Sequence, residues 1–164
     1  MTPNKGEIRI RGKLLDAKHD VTGNMGILIE SPGFLENDSA EQNLMYLANI
    51  NRFIGRDQVR ASISDVCLDP DDKNKVKKYS MGMRQRLGIA QAVMEGQDII
   101  LLDEPMNGLD ENGVASMRKR FLDLKKEGRT IVLVSHNKED IAILCDEIYK
   151  IDNGSISVLS TVSA

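Results

Sequence analysis

From Ile99 to Leu159 the chain alternates short apolar runs with amphipathic stretches, and few folds accept that order. Ile99-Ile100-Leu101-Leu102 is a continuous apolar run, as expected of a strand covered on both faces. Val114, Met117, Phe121 and Leu124 recur at helical spacing, and that pattern stops at Gly128. Ile131-Val132-Leu133-Val134 reads as a second buried strand, and Ile141 and Leu144 lie on the next helix. Residues 148–151 and 155–159 flank Asn153-Gly154, a strong signal for a two-residue hairpin. Strand, helix, strand, helix, strand implies an α/β fold with a parallel core.

The upstream half fits the same plan. Glu7-Ile8-Arg9-Ile10-Arg11 alternates with period two and ends at Gly12, which predicts a short strand and a turn. Met25-Gly26-Ile27-Leu28-Ile29 predicts another strand, ending at Glu30 and stopped by Pro32. Residues 40–95 read as helices inserted between the sheet-forming regions. Their apolar faces are Leu44, Leu47 and Ala48; Val59, Ile63 and Val66; and Leu87, Ala90 and Met94. With 164 residues there is enough chain for one domain. Aromatics are 4% and Trp is absent, so the core must rest on Ile, Leu, Val and Met.

Charge and cysteine usage narrow the function. The formal net charge of −3 argues against nucleic acid as a partner, because phosphate binding needs a basic face. Lys73, Lys75, Lys77 and Lys78 follow Asp69, Asp71 and Asp72, a pattern of a solvated, charge-mixed loop. Cys67 and Cys145 have no metal spacing and sit among apolar neighbours, so both read as buried thiols of a reducing compartment. No apolar run is long enough to span a bilayer and none resembles a signal peptide, so a membrane connection would come through another subunit.

Three places carry candidate chemistry. In open parallel sheets ligands gather at the carboxyl ends of the strands. Leu101-Leu102-Asp103-Glu104-Pro105 puts two acids at such an end. One carboxylate there can hold Mg²⁺, and a second can polarise an attacking water. Taken alone, two solvated acids at a strand end explain the pair equally well. Val134-Ser135-His136 ends the next strand; His136 could contact a γ-phosphate, or be a hydrogen-bonded loop histidine. His19 has no such setting and reads as a surface residue. Ser80 in Tyr79-Ser80-Met81-Gly82-Met83 is a good N-cap, and Gly82 admits a close backbone. Free N–H groups at a helix start can also bind phosphate, although simple capping accounts for the local pattern.

Taken in order, these segments resemble the ABC ATPase family over nearly the whole chain, about residues 6–154. The resemblance reads residues 79–83 as the signature motif and residues 99–104 as the Walker B strand. Asn107-Gly108-Leu109-Asp110 becomes the D-loop, His136 the switch histidine, and residues 26–32 take the Q-loop position. Residues 27–34 and 79–90 look most like the bacitracin and lantibiotic export or self-immunity subgroup. The implied fold is α/β, a P-loop NTPase-like parallel sheet core (residues 1–39 and 96–164). It carries an inserted helical subdomain (residues 40–95) and a small antiparallel β region. The implied function is ATP binding and hydrolysis that powers export through a separate membrane subunit, with ATP and Mg²⁺ as ligands. Glu104 and His136 become catalytic, Asp103 and Glu30 serve the metal, and Ser80, Gly82, Glu30 and Asp110 bind nucleotide. Two such domains would pair head to tail, beside a transmembrane permease, in the cytoplasm at the inner face of the cell membrane.

The sequence departs from the family pattern in places. Its only near match to a phosphate-cradling G-x-x-x-x-G-K-[ST] loop runs from Gly6 to Lys13, with one residue too many between the glycines and Leu14 in place of the Ser/Thr. The expectation is therefore a chain that begins after the Walker A helix, poor in ATP binding and inactive by itself. Glu30 replaces the usual Gln, Met81 and Met83 replace Gly and Gln, and Asn107 replaces a small hydroxyl residue. The rival reading is a non-hydrolytic half-site that lends Ser80 and Gly82 to a complete partner. A soluble ABC ATPase of DNA repair or translation fits less well, since there is neither a coiled coil nor a basic arm.

Overall fold

The computed structural model describes residues 5–15, 25–29 and 33–161. A parallel sheet of three strands in the order β3-β4-β5 organises the chain: β3 is Met25–Leu28, β4 Ile99–Asp103 and β5 Thr130–Val134. Leu28 lies opposite Leu102, and Asp103 opposite Val134, so the carboxyl ends of the three strands form one edge.

Helices cover one face of this sheet and build the core. The α4 helix (Glu111–Lys126) buries Met117, Phe121 and Leu124, the apolar stripe expected from the sequence. The α3 helix (Met81–Val93) buries Leu87, Ile89 and Ala90 and packs on β3 and β4. Gly26 is required for that packing, because a Cβ at this position would overlap the carbonyl of Ala92. Ile100 and Leu102 of β4 are buried with these helices. The α1 helix (Ala40–Asn51) starts at a capping box made by Ser39 and Gln42, and α2 (Arg56–Asp65) follows. Together they bury Leu44, Ala48, Val59 and Ile63. The last helix, α5 (Lys138–Leu144), follows β5.

Two antiparallel hairpins complete the described chain. Strands β1 (Arg9–Ile10) and β2 (Lys13–Leu14) pair across Arg11-Gly12, both at positive φ. The predicted strand at residues 7–11 is thus shorter and folded back on a partner. The near match to a phosphate loop is this hairpin and does not join a strand to a helix. At the other end β6 (Glu147–Asp152) and β7 (Ser155–Thr161) pair across Asn153-Gly154, as the dipeptide predicts.

Two sequence readings need correction. Val132 is 50% and Val134 56% exposed, so β5 is not the buried strand its apolar run suggests. Ile27 and Ile29 are open on the sheet as well, and Ile99 and Leu101 are only half-buried. An all-apolar strand requires cover on two sides, and among the described residues the helices supply only one. The cysteines are the second correction. Cys67 is exposed because it takes a left-handed turn position (φ +60°) just after α2, and Cys145 is half-buried at the end of α5. Burial raises the Cys145 thiol above its ordinary value. Among the described residues no helix is long and apolar enough to cross a membrane.

Candidate functional site

The site is built at the carboxyl edge of the sheet. β4 delivers Asp103 and Glu104 to this edge, and Pro105 prevents the ladder from continuing. Glu104 takes φ +46°, a left-handed conformation that a non-glycine residue adopts at a cost of about 1–2 kcal/mol. Its backbone N–H still bonds the Val134 carbonyl at 2.9 Å, so the turn begins while β4 remains paired with β5.

That pairing brings His136 alongside. The His136 backbone N–H donates to Glu104 Oε1 at 3.0 Å, and the ring Nδ1 lies 2.8 Å from the same oxygen. No described residue donates to Oε2. The carboxylate is thus oriented through one oxygen, with 27% of the side chain exposed. His136 is 79% exposed, open to whatever approaches the strand tips. An oriented carboxylate can accept a proton from water, and an imidazole protonated on both ring nitrogens can donate to an anion while its Nδ1 faces Glu104.

Behind His136 the chain is anchored. Asn137 caps α5, with Oδ1 accepting from Glu139 N at 2.9 Å and Asp140 N at 3.4 Å. Asp140 is 1% exposed, and Arg118 of α4 donates from Nε to its Oδ1 at 2.7 Å. Arg118 also pairs with Glu139, which lowers that carboxyl's pKa through its hydrogen bond.

The second predicted segment lies at the start of α3. Ser80 is exposed, and its Oγ accepts from Met83 N at 3.2 Å, the cap the sequence predicts. The preceding Tyr79 is 6% exposed, and burial pushes its phenol up to about 12. This buried ring anchors an otherwise open segment. Gly82 packs on the following loop: a Cβ there would come within 2.7 Å of the Gly108 carbonyl. Asp110 caps α4 through Gly113 N at 3.0 Å and pairs with Arg86 of α3 at 3.3 Å. The turn after β4 therefore touches α3 at Gly82 and at Arg86.

The structure thus joins Glu104 to His136, Gly82 of α3 to Gly108, and Asp110 to Arg86 of α3. Asp103 is half-buried at the tip of β4. Glu30 and His19 lie outside the described residues. Among the described residues no three His, Cys, Asp or Glu side chains cluster to hold a metal ion. Asp103 and Glu104 are the described carboxylates at this edge, and Mg²⁺ in general takes one or two carboxylates and completes its shell with water and phosphate oxygens. Sequence reasoning missed Gln85, whose Nε2 donates to the Glu104 carbonyl at 3.1 Å, and the Arg118–Asp140 anchor. No local pattern predicts either, since both join residues far apart in the chain.

Comparison with known proteins bears on this arrangement. Residues 1–107 match the family described as ABC transporter. The chain is 40% identical over 162 residues to YybJ, an ABC transporter ATP-binding protein of Bacillus subtilis (strain 168), covering 99% of this chain and 74% of that protein. It is 35% identical to the bacitracin transport ATP-binding protein BcrA of Bacillus licheniformis, covering 94% of this chain and 51% of that protein. The chain thus spans about half to three quarters of the length of these relatives. Its fold matches the dimeric post-hydrolysis state of the ATP-binding cassette MJ0796 bound to ADP and Pi. The TM-score is 0.86 at 20% identity, over all of this chain and 76% of that one. By its sequence the chain belongs to the ABC transporter family, among its ATP-binding proteins.

Proposed function

We propose that this chain forms part of an ATP-hydrolysing subunit that powers export through a separate membrane protein. The observation that carries the reading is the Glu104–His136 pair at the tips of β4 and β5. Glu104 polarises the attacking water and accepts its proton at Oε2. His136 keeps Glu104 oriented and hydrogen-bonds the γ-phosphate. Asp103, with Glu30, would hold Mg²⁺, which offsets the charge of the phosphates when bound. Ser80 and Gly82 at the start of α3 close on the nucleotide of a second, head-to-tail domain, and Asp110 lines the same junction. The exposure of Ser80 supports this, because among the described residues nothing uses the hydroxyl beyond the cap.

In this reading residues 1–39 and 96–164 are the core and residues 40–95 the helical subdomain. The latter meets the membrane subunit at the inner face of the cell membrane. Tyr46, Ile50 and Phe53, exposed at helical spacing along and just past α1, support such a docking face. The BcrA likeness supports a peptide antibiotic as cargo. The 164 residues by themselves bind ATP weakly, because Asp103 and Glu104 repel a polyphosphate and the Gly6 to Lys13 stretch is a hairpin. Phosphate release by the full-length protein, with and without Glu104→Gln, tests the assignment. The expected loss is about 10²-fold or more with ATP still bound. A loss of less than about threefold would refute Glu104 as the base.

A further inference from the structure

We infer that Gln85 is a positioning residue for Glu104: it holds the carbonyl of the glutamate from behind and thereby aims the carboxylate at its working position. The inference rests on the proposed role of Glu104. Gln85 lies on α3 among Leu87, Ile89 and Ala90 and is itself 7% exposed. A buried amide is costly unless it is hydrogen-bonded, and its Nε2 donates to the Glu104 carbonyl at 3.1 Å. That carbonyl also accepts from Asn107 N at 3.1 Å, while the Glu104 N–H stays with Val134.

These contacts over-determine a residue that would otherwise relax. Glu104 is left-handed at φ +46° and precedes a proline, which restricts it further. A strained residue of this kind persists only where its surroundings hold it. The main chain of Glu104 is gripped by α3, β5 and the following turn, and its carboxylate by His136. Without the Gln85 donor the carbonyl keeps one partner, and the peptide can rotate toward an unstrained conformation. The carboxylate would then move off His136. Gln85 also stands five residues after Ser80, the N-cap of the same helix, so displacement of the α3 start reaches the Glu104 main chain directly through this side chain.

The test uses Gln85→Met, which keeps length without a donor, and Gln85→Glu, which keeps shape but turns an acceptor toward the carbonyl. In the full-length protein each is expected to lower kcat for ATP about tenfold or more, with KM within about twofold, as misplacement of a reacting group does. In a Glu104→Gln background the same changes should cause no further loss, because nothing remains to be aimed. Unchanged kcat in folded variants, or an equal loss in both backgrounds, would overturn the inference. A second measurement does not depend on turnover. In ¹⁵N NMR spectra of this chain the His136 amide should shift and exchange faster in both variants, as its bond to Glu104 loosens. Unchanged His136 signals would overturn the positioning role even if the parent hydrolyses no ATP, an outcome that would separately refute the ATPase reading.

Discussion

The tip of β4 and the start of α3 lie close together but are held in opposite ways. Glu104 is gripped on its main chain by Val134, Gln85 and Asn107 and on its side chain by His136. Ser80 is exposed, and among the described residues its hydroxyl serves only the cap of its own helix. The first is pre-organised within the chain, and the second presents a helix start outward. Under the proposed function, Glu104 acts on its own chain's ligand and is fixed by that chain, whereas Ser80 gains its contacts on assembly.

The largest expected effect would break both regions at once. Leu87 is fully buried on α3, between the Ser80 end and the sheet. Leu87→Ala should cost about 2–5 kcal/mol in urea unfolding. A cost under about 1 kcal/mol would mean that α3 does not carry the two regions together.

His136→Ala separates them. It removes the ring contact to Glu104 but leaves the backbone one, and the exposed ring contributes little to folding. Turnover should fall about 10²-fold with melting temperature nearly unchanged. If activity and stability drop together, His136 is structural.

Ser80→Arg sharpens the contrast. In a mixed dimer with one altered chain, only the site facing that chain should fail, so total turnover falls to about half if sites act independently. Ser80→Ala controls for the lost cap, about 1 kcal/mol. Equal damage at both sites would count against the head-to-tail arrangement.

The smallest effect lies away from both regions and calibrates them. Glu41 on α1 is 8% exposed and bonds Arg56, which lowers its carboxyl pKa despite the opposing effect of burial. A folded-state pKa below the unfolded one adds stability above the unfolded value, roughly 4.3, and that stability is lost as pH falls through the folded value. Glu41→Gln should therefore cost about 1 kcal/mol at pH 7, with the difference closing toward pH 3. Calorimetric melts at both pH values check it, and a gap that widens in acid would contradict the sign.

What could be read from the amino-acid order is local. Apolar runs located β4 and β5, 3.6-residue spacing located α3 and α4, and Asn153-Gly154 marked the last hairpin. Ser80 was legible as a helix start because a cap needs only the residue and the N–H groups just after it, whereas the cap that Asp110 places on α4 appeared only in the structure. Only the tertiary structure decided the rest. Val132 and Val134 look buried in the sequence but are open, because an apolar run reports what a strand tolerates and not what is packed against it. Glu104 and His136 stand 32 residues apart and meet because parallel pairing sets Asp103 opposite Val134. Gln85 reaches Glu104 across 19 residues because α3 packs against the sheet through the notch left by Gly26. A sequence written residue by residue carries each of these partners, but the distance between them is set by the register of strands and the approach of a helix.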